Sequence, residues 1–247
     1  MKKNNYSYIG IAFIILLFGI LFVPKIIDRI QNGDVVRDES RSDFANENRD
    51  HTSDLAFIEV DGVPKKVPAF SFTDQNGKTV TNEDYVGKVY VVEFFFTTCP
   101  TICPRMSKNL VQIQNTFKDF ENFGVASFTI NPAYDTVEVL KEYATQYGVT
   151  NPHWHLMTGD RDAIYKLSNE GFNLYSAEDE NAAGGFEHSG NFALIDKNGF
   201  IRSRKDDYGN PIIYYRGIAS EEEQLDEDGA PQEITALKED IKKLLDE

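Results

Sequence analysis

The sequence predicts one α/β domain on a central, mostly parallel sheet, with a β-hairpin ahead of it and one transmembrane helix at the amino terminus. Three observations carry that reading. Apolar strand-like stretches alternate with stretches of helical spacing and end in a hairpin and a helix, the order of strands joined by crossover helices. The 247 residues are 41% apolar and 26% charged, enough to bury a core without covalent staples and too polar for a polytopic membrane protein. Residues 6–23 carry no charge and as a helix would span roughly 27 Å, close to a bilayer's hydrocarbon thickness.

The elements follow in order. Residues 1–5 are a short flank holding Lys2 and Lys3, and 6–24 form the anchor. Phe22-Val23-Pro24-Lys25 offers no small-residue cleavage site, which favours an uncleaved anchor over a signal peptide. No cysteine lies nearby to carry a lipid. Lys25 and Arg29 nearly balance the flank's charge, so orientation rests on the short flank ahead of a large domain, which places the domain outside the cytoplasm. Residues 25–56, rich in Asp, Asn, Arg and Ser, read as a flexible polar tether.

The folded domain spans 57–247. Asn76-Gly77 between two short apolar stretches signals a hairpin. Val89 to Phe96, interrupted only by Glu93, reads as a central strand buried on both faces. Met106, Leu110, Ile113 and Phe117 then recur at helical spacing. Val125 to Ile130 and the stripe Val137, Leu140, Tyr143, Ala144 and Tyr147, closed by Gly148, repeat the unit. Trp154 to Met157 reads as a strand, Asp160 to Glu170 as a helix, Phe192 to Arg202 as a hairpin about Lys197-Asn198-Gly199, and Glu233 to Leu245 as a closing helix. The acidic stretches 178–180 and 221–228 read as solvated loops. A net charge of −15 argues against a sequence-independent nucleic-acid binder, which needs a positive field.

The chemistry concentrates in Cys99-Pro100-Thr101-Ile102-Cys103-Pro104, which holds both cysteines of the chain. They follow the central strand, where open α/β sheets place ligands. Prolines are tolerated in a helix's first turn, so the helix starts between Pro100 and Pro104 and both thiols lie near its positive end, which favours thiolate. At this spacing the sulfurs can pair as a disulfide or converge on one metal ion. Of four histidines, His51 lies in the tether, and His153 and His155 flank Trp154 in packing or surface roles. His188 follows Ala182-Ala183-Gly184-Gly185 on a mobile loop and is a candidate third ligand.

The run Phe95-Phe96-Thr97-Thr98-Cys99-Pro100-Thr101-Ile102-Cys103-Pro104, with Thr158-Gly159-Asp160 and then His188-Ser189 leading into a strand, resembles the Sco/SenC family. The resemblance covers about Val67 to Phe200 and the closing helix. It implies a membrane-anchored thioredoxin-like fold that binds copper and helps assemble the dinuclear copper centre of cytochrome c oxidase. Cys99, Cys103 and His188 would then be the metal ligands. It further implies a single-pass protein of a bacterial inner membrane, with an oxidase copper-centre subunit or another copper protein as partner and a thiol-reducing partner to keep the cysteines ready. Asn131 stands where the family's first aspartate is expected, while Asp135 keeps the second position. The acidic stretch from Ser220 to Gly229 is longer than the family's.

Two soft thiolates and an imidazole suit Cu(I), and with an added oxygen ligand Cu(II); a structural zinc site would want four protein ligands. The alternative to a chaperone, which is not a conventional enzyme, is an extracytoplasmic thiol-disulfide oxidoreductase that reduces client cysteines with Cys99 and Cys103 as its redox pair. Such enzymes more often space their cysteines by two residues. A thiol peroxidase would need threonine where Phe96 and Pro100 stand.

Overall fold

The computed structural model describes residues 12, 15–20, 22–24 and 55–247. Most of the predicted anchor and nearly all of the tether lie outside the described residues. Those described in the amino-terminal unit are helical, with Ile15, Leu16, Phe18 and Ile20 exposed and Phe18 stacked on Phe22. No helix among the described residues is long and apolar enough to cross a membrane.

The second unit opens with β1 (Ala56–Phe57) and a small ribbon of β2 (Glu59–Val60) and β3 (Val63–Pro64). The expected hairpin is β4 (Ser71–Asp74) and β5 (Thr79–Thr81). β6 (Val89–Phe95) is buried at every residue and leads into α1 (Ile102–Thr116). β7 (Phe123–Thr129), α2 (Val137–Tyr147) and β8 (Trp154–Thr158) follow. Gly148, in the left-handed region at φ 77°, closes α2 as its sequence predicts. After α3 (Arg161–Lys166) come β9 (Ser176–Glu178), β10 (Phe186–His188), β11 (Asn191–Ile195), β12 (Ile201–Ser203), β13 (Tyr215–Arg216) and α4 (Ile234–Asp246).

The sheet is mixed, not mostly parallel. Its order is β1-β12-β11-β6-β7-β8-β4-β5, and only β6–β7 and β7–β8 run parallel. Crossover helices force those two pairs parallel; β4 and β11 instead join antiparallel to β8 and β6, and each brings its hairpin partner with it. Right-handed crossovers in one direction along the sheet place α1 and α2 on the same face. There the Ser107 and Tyr143 hydroxyls bond at 2.8 Å and Phe95 packs on Tyr143. On the opposite face Phe94 meets Phe172 and Phe128.

Three further expectations are corrected. The helix predicted over Asp160 to Glu170 is α-helical only to Lys166; a π-helical turn, Leu167–Phe172, completes it and ends at Asn173 with φ 53°. The wider turn lets Phe172 enter the core. His188 lies on no free loop: it ends β10, paired with Ser176 of β9. The acidic stretch 221–228 is anchored: Asp226 is buried against Arg216, Glu221 binds Lys238 at 2.6 Å and Glu223 binds Arg105 at 3.0 Å.

One local motif recurs. In Asp74-x-x-Gly77, Asp196-x-x-Gly199, Asp206-x-x-Gly209 and Asp226-x-x-Gly229 the carboxylate accepts the N–H groups two and four residues on, at 2.8–3.0 Å. Each glycine takes a positive φ. The acidic run 226–229 is thus a built turn rather than a plain solvated loop.

Candidate metal centre

The centre forms where β6 ends. Its last residues are fully buried, so the chain leaves the sheet at one defined point, and Pro100 and Pro104 set the start of α1 around it. No side-chain oxygen caps this helix. Instead the Cys103 N–H points at the Cys99 sulfur, 3.5 Å away, and the Thr101 hydroxyl lies 3.7 Å from the same sulfur. Cys99 fills the role of a helix cap, placing a sulfur where the macrodipole favours negative charge.

The third member arrives from 85 residues downstream. β10 carries the His188 Nε2 to 3.2 Å from the Cys103 sulfur. The ligand atoms of Cys99, Cys103 and His188 all lie within 4.8 Å of one another. Phe96 packs edge-on against the His188 ring and also against Phe186, walling the site with apolar surface. The His188 Nδ1 is buried with no partner among the described residues. Both cysteines are free thiols.

Their electrostatics differ sharply. The hydrogen bond from Cys103 holds Cys99 well below the ordinary thiol range; burial opposes this, while His188 and the N–H groups of residues 103 and 101 add to it. Burial, and then the negative charge of Cys99, push Cys103 up. Near neutrality the pair therefore holds one thiolate and one thiol. Two soft sulfurs and one imidazole at bonding separation can hold a soft cation in low coordination, or close into a disulfide and lose the cation.

Of the predicted site residues, the structure brings together Cys99, Cys103 and His188. His155 is elsewhere, its Nδ1 3.0 Å from the buried Asp74 carboxylate, and His153 lies half-buried at the opposite pole. Asp135, left without a role by its motif, is fully buried. It accepts bonds from the Thr97 N–H at 3.1 Å and from the hydroxyls of Thr97 and Thr129, which ties the cysteine loop to the loop after β7. Asn131 donates its backbone N–H to the Thr129 hydroxyl. The aromatic wall was not legible in sequence, since no local pattern pairs Phe96 with Phe186.

Comparison with known proteins gives the same picture. The SCO1 protein homolog of Bacillus subtilis is 36% identical over 96 residues, 38% of this chain and 49% of that relative. A Stutzerimonas stutzeri protein that carries a copper-binding name is 28% identical over 141 residues, 56% of this chain and 68% of that protein. The crystal structure of a SCO1/SenC family lipoprotein from Bacillus anthracis superposes with a TM-score of 0.60 at 29% identity, covering 73% of this chain and 95% of that one. The match to the Bacillus subtilis relative thus spans about half of that protein's length. The SCO1/SenC family pattern runs through residues 59–221, a segment that contains both cysteines, the histidine and every strand of the parallel core, and the chain belongs to that family.

Proposed function

We propose that this chain is a membrane-anchored copper chaperone that holds Cu(I) through Cys99, Cys103 and His188 and assists assembly of the dinuclear copper centre of cytochrome c oxidase. Its partner would be the oxidase's copper-centre subunit or another copper protein, and the domain would face outward from a bacterial inner membrane. The observation that carries this reading is the convergence of the three ligand atoms within 4.8 Å. The donor set fits Cu(I), and the copper-binding name of one relative agrees. A single thiolate beside a thiol also suits ligand exchange: an incoming copper complex meets Cys99 already ionised, and Cys103 follows as it loses its proton.

The same split supports a second reading, thiol-disulfide exchange. Cys99 as thiolate would attack a client disulfide and Cys103 would resolve the mixed disulfide, leaving the client reduced and this pair oxidised. The two readings part at His188, which only the copper site needs. Anaerobic Cu(I) titration of the reduced full chain in detergent, with X-ray absorption, should give one copper per chain bound by sulfur and nitrogen. Cys99→Ala and Cys103→Ala should each weaken binding by at least ~100-fold, and His188→Ala should weaken it while dithiol and disulfide still interconvert. Wild-type affinity in either cysteine variant would overturn the site. Normal oxidase maturation in His188→Ala cells but not in Cys99→Ala cells would favour thiol exchange.

A further inference from the structure

Ile102, Arg105 and Asn109 lie at i, i+3 and i+7 of α1, a single stripe along the helix, and all three meet the chain that follows β13 or the turn it rests on. Arg105 binds Glu223 at 3.0 Å and Glu227 at 3.3 Å. Asn109 is 1% exposed and points its Nδ2 at three successive carbonyls, those of Gly217 at 2.9 Å, Ile218 at 3.4 Å and Ala219 at 3.3 Å. Two amide hydrogens shared among three acceptors fasten this strap, residues 217–219, to the helix that begins at the cysteines. Neither the ligand set nor the aromatic wall of the metal centre includes Asn109.

The strap also holds the segment that carries His188. The Gly217 N–H donates to the Gly190 carbonyl at 2.9 Å, two residues past His188, and just before it Tyr215 and Arg216 pair with Phe192 and Asn191. Two glycines permit this close approach. Gly190 takes φ +65°, and a Cβ on it would stand 2.7 Å from the Ile218 Cδ1 and 3.3 Å from the Ile102 Cδ1. A Cβ on Gly217 would stand 2.6 Å from the Phe192 ring. Ile102, next to Cys103 in the chain, and Ile218 of the strap therefore both rest on the turn that follows His188.

The His188 Nε2 lies 3.2 Å from the Cys103 sulfur, a gap that survives only while the two segments keep their places. On the amino-terminal side of His188, β10 pairs with β9 alone among the described residues. On the carboxyl-terminal side, a continuous path of hydrogen bonds runs from Gly190 through Gly217 to Asn109 and so back to α1. We propose that Asn109 is a positioning residue of the metal centre: by fastening the strap to α1 it fixes the His188 turn against the cysteine helix before a metal ion arrives. Asn109 touches no ligand atom, and its effect on the metal passes through His188. Outer residues that orient a metal ligand commonly change affinity by roughly 10–100-fold, because a ligand already held in place loses less freedom on binding. The inference rests on the reading that His188 binds Cu(I) together with the two cysteines.

Anaerobic competition with a Cu(I) chelator gives the affinity of the reduced full chain in detergent, measured for Asn109→Ala in the wild-type and in the His188→Ala background. Asn109→Ala should weaken binding roughly 10-fold where His188 is present and by less than about 2-fold where it is absent, since both substitutions act through one ligand. X-ray absorption of Asn109→Ala should show both sulfur ligands kept and nitrogen ligation reduced. Equal losses in the two backgrounds, or an undiminished nitrogen contribution, would make Asn109 a stabiliser of the fold alone and overturn the inference. Hydrogen exchange at the Gly217 amide of the metal-free wild type needs no variant to fold. That amide should be protected before Cu(I) is added and no more protected afterwards; protection that arises only with Cu(I) also overturns the inference. A wild-type chain that binds Cu(I) without nitrogen ligation overturns the reading of His188 as a ligand, and the inference with it.

Discussion

At the scale of single residues, the site is governed by which buried groups keep protons. Cys99 replaces the oxygen that normally caps a helix, so the N–H groups of α1 that would otherwise need water stabilise a thiolate. Glu93 is the opposite case, a carboxyl whose proton is favoured by burial, against the pull of its single donor Ser127. This has a consequence for folding. The carboxyl titrates near its ordinary value of 4.5 when unfolded and at about 7 when folded, so the folded state binds the proton more tightly. The residue costs nothing below pH 4.5, and stability falls as pH rises from there through about 7. By about pH 8 the loss is on the order of 3 kcal/mol. Relative to wild type, Glu93→Gln should therefore gain roughly that much stability between pH 4 and pH 8, measured by denaturant unfolding of the reduced, metal-free protein. A difference that stays constant with pH would contradict the buried-acid assignment.

Among the elements, the least regular one matters most for the metal centre. β10 is three residues long and among the described residues pairs only with β9, yet it must hold His188 against Cys103. Gly184, in the turn before it, takes φ +80°, and a Cβ there would stand 2.8 Å from the Phe96 ring and 3.1 Å from Pro100. Gly185 has φ +87° with open space around it. Alanine at either position meets the left-handed penalty, about 1–2 kcal/mol. Gly184→Ala alone also pushes the wall and the cysteine loop apart. The expected outcome is similar thermal destabilisation in both variants, with weakened Cu(I) binding only in Gly184→Ala. Equal copper affinities would show that β10 tolerates displacement of its turn.

For the whole molecule, the topology explains why distant segments meet: β11 runs antiparallel beside β6, so its start, just after His188, lies near the end of β6 that leads to the cysteines. β6 and β7 run parallel, so the cysteine loop and the Asp135 loop emerge at the same end of the sheet, where Asp135 joins them. If residues 6–24 hold the chain in the membrane with the domain outside, the full chain should sediment with membranes until detergent is added. Protease added to spheroplasts should digest the domain, and the amino terminus should still read from Met1. A domain protected in intact spheroplasts would reverse the orientation, and a start near Lys25 would mean that the segment is cleaved.

The sequence alone determined whatever depends on neighbours along the chain. The apolar run 89–96 specified a buried strand, the two prolines located the start of α1, Gly148 ended α2, and Asn76-Gly77 and Lys197-Asn198-Gly199 marked two hairpin turns, because each signal acts within a few residues. Cys99 and Cys103, four apart, were readable as a pair for the same reason. His188 was set apart from His153 and His155 by its loop-like neighbourhood, but only the family resemblance made it a specific ligand. Tertiary structure decided the rest: that β4 and β11 enter the sheet antiparallel, that the acidic stretch is pinned by Arg105, Arg216 and Lys238, that Phe96 and Phe186 wall the site, and that Glu93 is buried against Ser127. Each of these depends on contacts between residues tens of positions apart, where burial energy and strand pairing select the partner and no local propensity names it.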